Sequence, residues 1–248
     1  MLKKEIEEAF SLLCKKAERP GIIGFVPIEG VGLLREQEAY LRRKLTGMES
    51  ALSVAEGLKS DITAISIGLF YHVSEILAIP SGWVNKHPDY GHWNLYARAY
   101  TELNRQLNEI ATRLTEQFGG VAVQATMEGK VGQVNHVNDY FPHCVSHRAF
   151  AEAAGLGWRG KHGLTVTPDA GPVLRFATVF VPQHILPDKK SLPDCGDCNA
   201  CLEVCPILRS EEGYRERCRR QIFTLGLEDE VCGICVRVCW EANQTIEK

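Results

Sequence analysis

Eight of the ten cysteines in this 248-residue chain lie after residue 194. Cys195, Cys198, Cys201 and Cys205, the last followed by Pro206, form a C-x2-C-x2-C-x3-C-P run. Thiolates at that spacing suit a 4Fe-4S cubane: a tight loop wraps three ligands around one cluster and carries the fourth to a neighbour. Zinc sites instead pair two C-x2-C knuckles across a longer gap, and a third cysteine only two residues on fits a tetrahedral ion poorly. Cys218, Cys232, Cys235 and Cys239 repeat the run with its first gap enlarged. Exchange of fourth ligands predicts one cluster on Cys195, Cys198, Cys201 and Cys239 and a second on Cys205, Cys218, Cys232 and Cys235. Two adjacent clusters would be an electron relay; the rival reading is one cluster and four structural thiols.

The rest of the composition narrows the setting. Met1 to Arg19 is charged and amphipathic rather than a secretory leader, so the cysteines read as metal or redox chemistry in a reducing cytoplasm and not as a disulfide framework. No apolar run is long enough to span a bilayer, and no membrane partner is expected. At 45% hydrophobic and 24% charged residues the chain is globular, and a formal charge of −3 offers no general affinity for nucleic acid.

Elements able to carry such a tail are legible upstream. Ile6, Phe10, Leu13 and Ala17 recur at helical spacing before Pro20-Gly21, and a strand over Ile22 to Val26 follows. Residues 33–45 are compatible with a helix, and Asp61 to Phe70 alternates as a strand. From Asn94, read as an N-cap, Leu95, Ala99, Leu103, Leu107, Ile110, Leu114 and Phe118 mark a long helix closed by Gly119-Gly120. A strand from Val121 to Met127, a helix from His147 to Ala154, a short strand-like stretch over Leu164 to Thr167 and a strand over Val173 to Val181 complete an α/β pattern. The last strand is apolar on both faces apart from Arg175 and Thr178. Pro182, Pro187 and Pro193 then punctuate the chain, giving an expected boundary between a domain over 1–182 and a smaller one over 183–248.

Other groups could do chemistry. Gly155, Gly157 and Gly160 spell G-x-G-x-x-G, but with a helix before and a strand after, the reverse of a dinucleotide fingerprint. His143 and His147, with His136 and Cys144 nearby, could bind a metal, donate a proton or contact a cofactor. Tyr96 and Tyr100 share one helix face, where either could donate a proton or simply pack in the core. The basic run Arg215, Arg217, Arg219 and Arg220 is a solvated face or a means of raising a nearby cluster's potential.

The stretch from Ala151 through Gly155-Leu-Gly-Trp-Arg-Gly-Lys161, the run Gly171 to Val181, the first cysteine run, and Cys218 with its late C-x2-C-x3-C together resemble the epoxyqueuosine reductase family. The likeness extends to Tyr96-Ala-Arg-Ala-Tyr100 and to Leu69-Phe70-Tyr71. It implies an α+β or α/β fold, with a mixed α/β cobalamin-binding-type domain, related to reductive dehalogenases, followed by a small two-cluster ferredoxin-like domain. It would lay Tyr100, Gly155, Gly157, Trp158 and Lys161 against a corrin. The family's catalytic Asp matches Phe141 here, leaving Asp139 or Tyr140 as the expected acid. The function so implied is a cytoplasmic cobalamin-dependent iron-sulfur oxidoreductase, fed by a ferredoxin or flavodoxin and acting on an unidentified substrate. A small-molecule or protein-bound corrinoid is an expected partner, and the alternative is a non-catalytic electron-transfer or corrinoid-handling protein. The acidic net charge and the end of the chain soon after Cys239 set the expectation against tRNA.

Overall fold

A computed structural model describes residues 1–46, 48, 61–85, 90–125, 135–187, 192–210 and 214–246. Helices outweigh strands. In chain order the elements are α1 (Leu2–Lys16), β1 (Gly21–Pro27), α2 (Arg35–Lys44), β2 (Thr63–Phe70), α3 (Val73–Leu77), α4 (Tyr90–Phe118) and β3 (Val121–Val123). A 3-10 turn over Val137–His143 follows, then α5 (His147–Ala153), β4 (Trp158–Arg159), β5 (Thr165–Val166), β6 (Leu174–Val181), α6 (Ala200–Val204), α7 (Tyr214–Leu225) and α8 (Ile234–Ile246).

The main sheet has the order β1-β2-β6-β3, and every pairing in it is antiparallel. β4 and β5 make a separate antiparallel pair. The expected α/β class is therefore corrected: helices and strands alternate along the chain, but the long α4 returns the chain so that β3 pairs beside β6 with opposite sense. The ferredoxin-like tail is corrected too. Among the described residues 192–246 there is no strand, only α6, α7 and α8.

The sheet is covered on both faces. On one, Ile65, Ile67, Leu69, Ala177 and Val179 pack with Ile6 and Phe10 of α1 and with Leu103, Leu107 and Ile110 of α4. On the other, Ala64 and Phe180 pack with Leu41, Phe150, Ala151 and Ala154. This explains why β2 is buried on both faces although its sequence alternates: Ala64, Ser66 and Gly68 are small enough to sit beneath the second layer. Phe150 meets Phe180 edge to face at 5.3 Å.

α4 begins at Tyr90, and Asn94 lies inside it rather than at its cap. The side chain of Asn94 is buried, and its Oδ1 accepts from the Glu228 amide at 2.9 Å. A residue that looks like a helix start is thus spent on the segment before α8. The Trp93 indole donates to the Cys232 carbonyl at 2.8 Å, and Leu225, Val231, Ile234 and Val236 share one buried cluster with the sheet. β3 ends at Val123, short of the Met127 expected; Gln124 and Ala125 lie outside the strand, and Met127 lies outside the described residues.

Candidate functional site

Pro142 sits inside the 3-10 turn that leads to the site. The turn is fixed at both ends. Asp139 Oδ2 accepts from the His136 amide at 2.9 Å, and His136 Nδ1 accepts from the Asn138 amide at 3.2 Å. Glu216 of α7 accepts from the Val137 amide at 2.9 Å, while Arg43 of α2 donates to the Pro142 carbonyl at 3.1 Å. Asp139 is therefore a capping residue by position.

Tyr140 of the same turn faces a cavity of about 550 Å³, walled by the turn, the start of α5, the start of β6, β4, α7 and α8. Burial pushes the Tyr140 hydroxyl above its ordinary range, and its bond to the Cys144 thiol acts in the same direction. Arg148, Arg159, Arg175 and Arg215 line this cavity, and no aspartate or glutamate is among the described lining residues. Glu152, behind the wall, pairs with Arg159 at 2.7 Å and lies 3.6 Å from Arg148. Arg215 stands 5.9 Å from the Phe141 ring.

Arg175 is the residue that sequence reasoning passed over, although its signal was present as a charge in an otherwise apolar strand. Its guanidinium lies 4.3 Å over the Tyr100 ring, with Nε donating to Asn104 at 3.1 Å and Nη2 to the Tyr100 hydroxyl at 3.3 Å. Tyr71 and Tyr96, whose rings are 5.1 Å apart, line the same cavity. Thr178, the other polar residue of that strand, bonds to His147 Nδ1 at 2.9 Å. His147 Nε2 meets the Gln124 carbonyl at 2.7 Å, so both ring nitrogens are engaged. Burial holds His147 down at about 4, with Arg175 adding to the effect, which leaves the ring neutral near pH 7.

The glycine loop has an internal explanation, which corrects the expected corrin contact. Gly155, at φ +72°, closes α5, and the Leu156 amide returns to the Ala151 carbonyl at 3.0 Å. A Cβ on Gly157 would stand 2.2 Å from the Val166 carbonyl oxygen. Its bareness serves its own backbone, not a flat ligand. Trp158 pairs with Val166 across β4 and β5, and Lys161 donates to the Gly196 carbonyl at 2.9 Å and to Asn199 at 2.8 Å. Gly157→Ala is expected to destabilise the protein by about 2 kcal/mol or more through this clash. An unchanged urea midpoint would refute that account.

Cys239 and Cys235 of the tail are pushed up by burial and by neighbouring thiols, Cys201 acting on both. Cys239 is raised to about 12 by burial first and then by Cys201, Cys195 and Cys198. Burial raises Cys232 to about 12 and Cys218 to about 11, with Cys205 adding to both, and Cys235 is raised further by burial, Cys232, Cys218 and Cys205. Yet among the described residues no group of three or more His, Cys, Asp or Glu side chains is arranged to hold a metal ion. The expected pair of 4Fe-4S sites is corrected accordingly. Sequence spacing determines which thiols share a neighbourhood, but convergence on one point depends on rotamers, and here the thiols approach one another without converging. The relay, its ferredoxin or flavodoxin donor, the corrinoid partner and the non-catalytic iron-sulfur alternative depended on those cofactors and are set aside with them.

The comparisons with known proteins bear on this geometry. No protein-family model matches the chain. The epoxyqueuosine reductase of Pseudomonas aeruginosa is 30% identical over 215 residues, covering 79% of this chain and 54% of the relative. The chain is a homologue of the epoxyqueuosine reductases. Those of Alicycliphilus denitrificans and Escherichia coli are 27% and 29% identical, covering 60% and 56% of this chain and 40% and 45% of theirs. The chain spans about half the length of the curated relatives it matches. This homology upholds the expected likeness to the epoxyqueuosine reductases.

Solved epoxyqueuosine reductases are similar as well. The one from Streptococcus thermophilus has a TM-score of 0.49 at 19% identity, over 96% of this chain and 65% of that one. Another, solved with an epoxyqueuosine-modified tRNA-Tyr stem loop, has a TM-score of 0.44 at 20% identity, over 84% of this chain and 52% of that one. The expectation against tRNA is corrected: it rested in part on net charge, and net charge does not set the field inside a cavity lined by four arginines. No helix among the described residues is long and apolar enough to cross a membrane.

Proposed function

We propose that this chain acts as a reductase on an epoxide-bearing nucleoside carried by tRNA, in a cytoplasmic setting. The observation that carries this reading is the 30% identity over 215 residues to an epoxyqueuosine reductase. The cavity chemistry is consistent with it: arginines without lining carboxylates favour a polyanion, and Tyr140, Phe141 and Phe176 offer aromatic surface to a base. Removing the epoxide oxygen takes two electrons from an external reductant and two protons and releases water; the negative charge that builds on the oxygen as the ring opens needs an acid beside it. Tyr140 is that acid, protonated at neutral pH and held by a turn that Asp139 caps. Residues 183–248 complete the site by supplying Arg215.

Incubating the full chain and a chemical reductant with an epoxyqueuosine-containing anticodon stem loop, followed by nucleoside mass spectrometry, tests the reading. Loss of the epoxide oxygen is the expected result. An unchanged nucleoside, with no binding of the stem loop, would overturn it.

A further inference from the structure

The geometry points to a phosphate-binding subsite on Arg175 at the floor of the cavity. The guanidinium is held from one side by neutral partners only, Asn104 and Tyr100. Arg175 makes no ion pair among the described residues, and its Nη1 has no protein acceptor there. A partly buried cation short of an acceptor costs free energy unless an anion completes it.

The charge of the missing group follows from the lining. Among the described residues, four arginines line the cavity and the carboxylate of Glu152 adjoins two of them, so more than one negative charge is accommodated. A planar guanidinium with a free edge matches two oxygens of a phosphate. Tyr71, Tyr96 and Tyr140 border the same space. The subsite does not depend on the tRNA reading, because inorganic phosphate and a nucleic-acid phosphodiester present the same oxygens to it.

The test is calorimetric titration of the full chain with inorganic phosphate and, separately, with an RNA trinucleotide. Wild-type protein is expected to bind at least one of them, and Arg175→Gln is expected to weaken that binding at least about tenfold. Tighter binding of the trinucleotide assigns the site to a nucleic-acid backbone, and binding of phosphate alone assigns it to the free ion. No binding of either by wild-type protein, or equal binding by R175Q, overturns the proposal. If a melt shows that R175Q does not fold, Arg175→Lys decides instead: a point charge in place of the fork is expected to bind at least about tenfold more weakly, and unchanged affinity overturns the subsite. Failure to reduce the stem loop while phosphate binding persists would count against the reductase reading alone.

Discussion

Acidification from about pH 6.5 to about pH 4 is expected to remove much of the protein's stability, through two buried histidines. His147 and His162 are each held at about 4 by burial, reinforced by Arg175 and Arg148 respectively, against an ordinary value of 6.5. In that window the unfolded chain takes up two protons that the native state refuses. Their contribution is complete above the unfolded value and is lost as the pH falls to the folded one. A gap of that width corresponds to roughly 3 kcal/mol for each residue. Against a typical total of about 5–15 kcal/mol, the pair decides whether the fold survives mild acid. The measurement is the denaturant midpoint at about pH 7 and about pH 5 for wild type and His147→Gln, whose amide can still donate to the Gln124 carbonyl. The variant should show a shallower pH dependence. Parallel losses in the two proteins would show that His147 is not the cause.

Tyr140→Phe is expected to lower the turnover of the proposed reduction by about 10²–10⁴-fold, the range for losing a positioned general acid. KM should change little, because the ring still fills its place on the cavity wall and only the hydroxyl with its bond to Cys144 is gone. Burial keeps the acid protonated well past its ordinary value, so wild-type turnover should not decline through its ionisation on the alkaline side of neutrality. Single-turnover assays on the stem loop would measure both effects. Full activity in the phenylalanine variant would remove Tyr140 from the chemistry.

What the sequence made legible was local pattern. The apolar spacing of α4 ended at Gly119-Gly120 as read, since periodicity and a positive-φ glycine are properties of a short window. Its start was misread because Asn94 has a cap-forming side chain, and only the fold reveals that this side chain is used on Glu228. Strands were found, but their antiparallel pairing was not, since sense and order depend on where a long helix returns the chain. The cysteine sets were readable as neighbourhoods, and side-chain arrangement within them was not. Gly157 was singled out for a ligand contact, whereas a Cβ on it would meet the Val166 carbonyl. Arg175 stood in plain sight as an exception within an apolar strand. The tyrosines around it come from other parts of the chain, which no local window can assemble.

The clamp between the 3-10 turn and α7 has a mechanical consequence. Glu216 holds the Val137 amide, Arg219 holds both Glu216 and the Asn135 carbonyl, and between them on the same helix sits Cys218. One turn of helix thus bears the cavity wall on one side and a thiol of the tail on the other. Tyr140 lies on the turn so clamped, and the packing of α7 therefore bears on both the cavity wall and the surroundings of the tail cysteines.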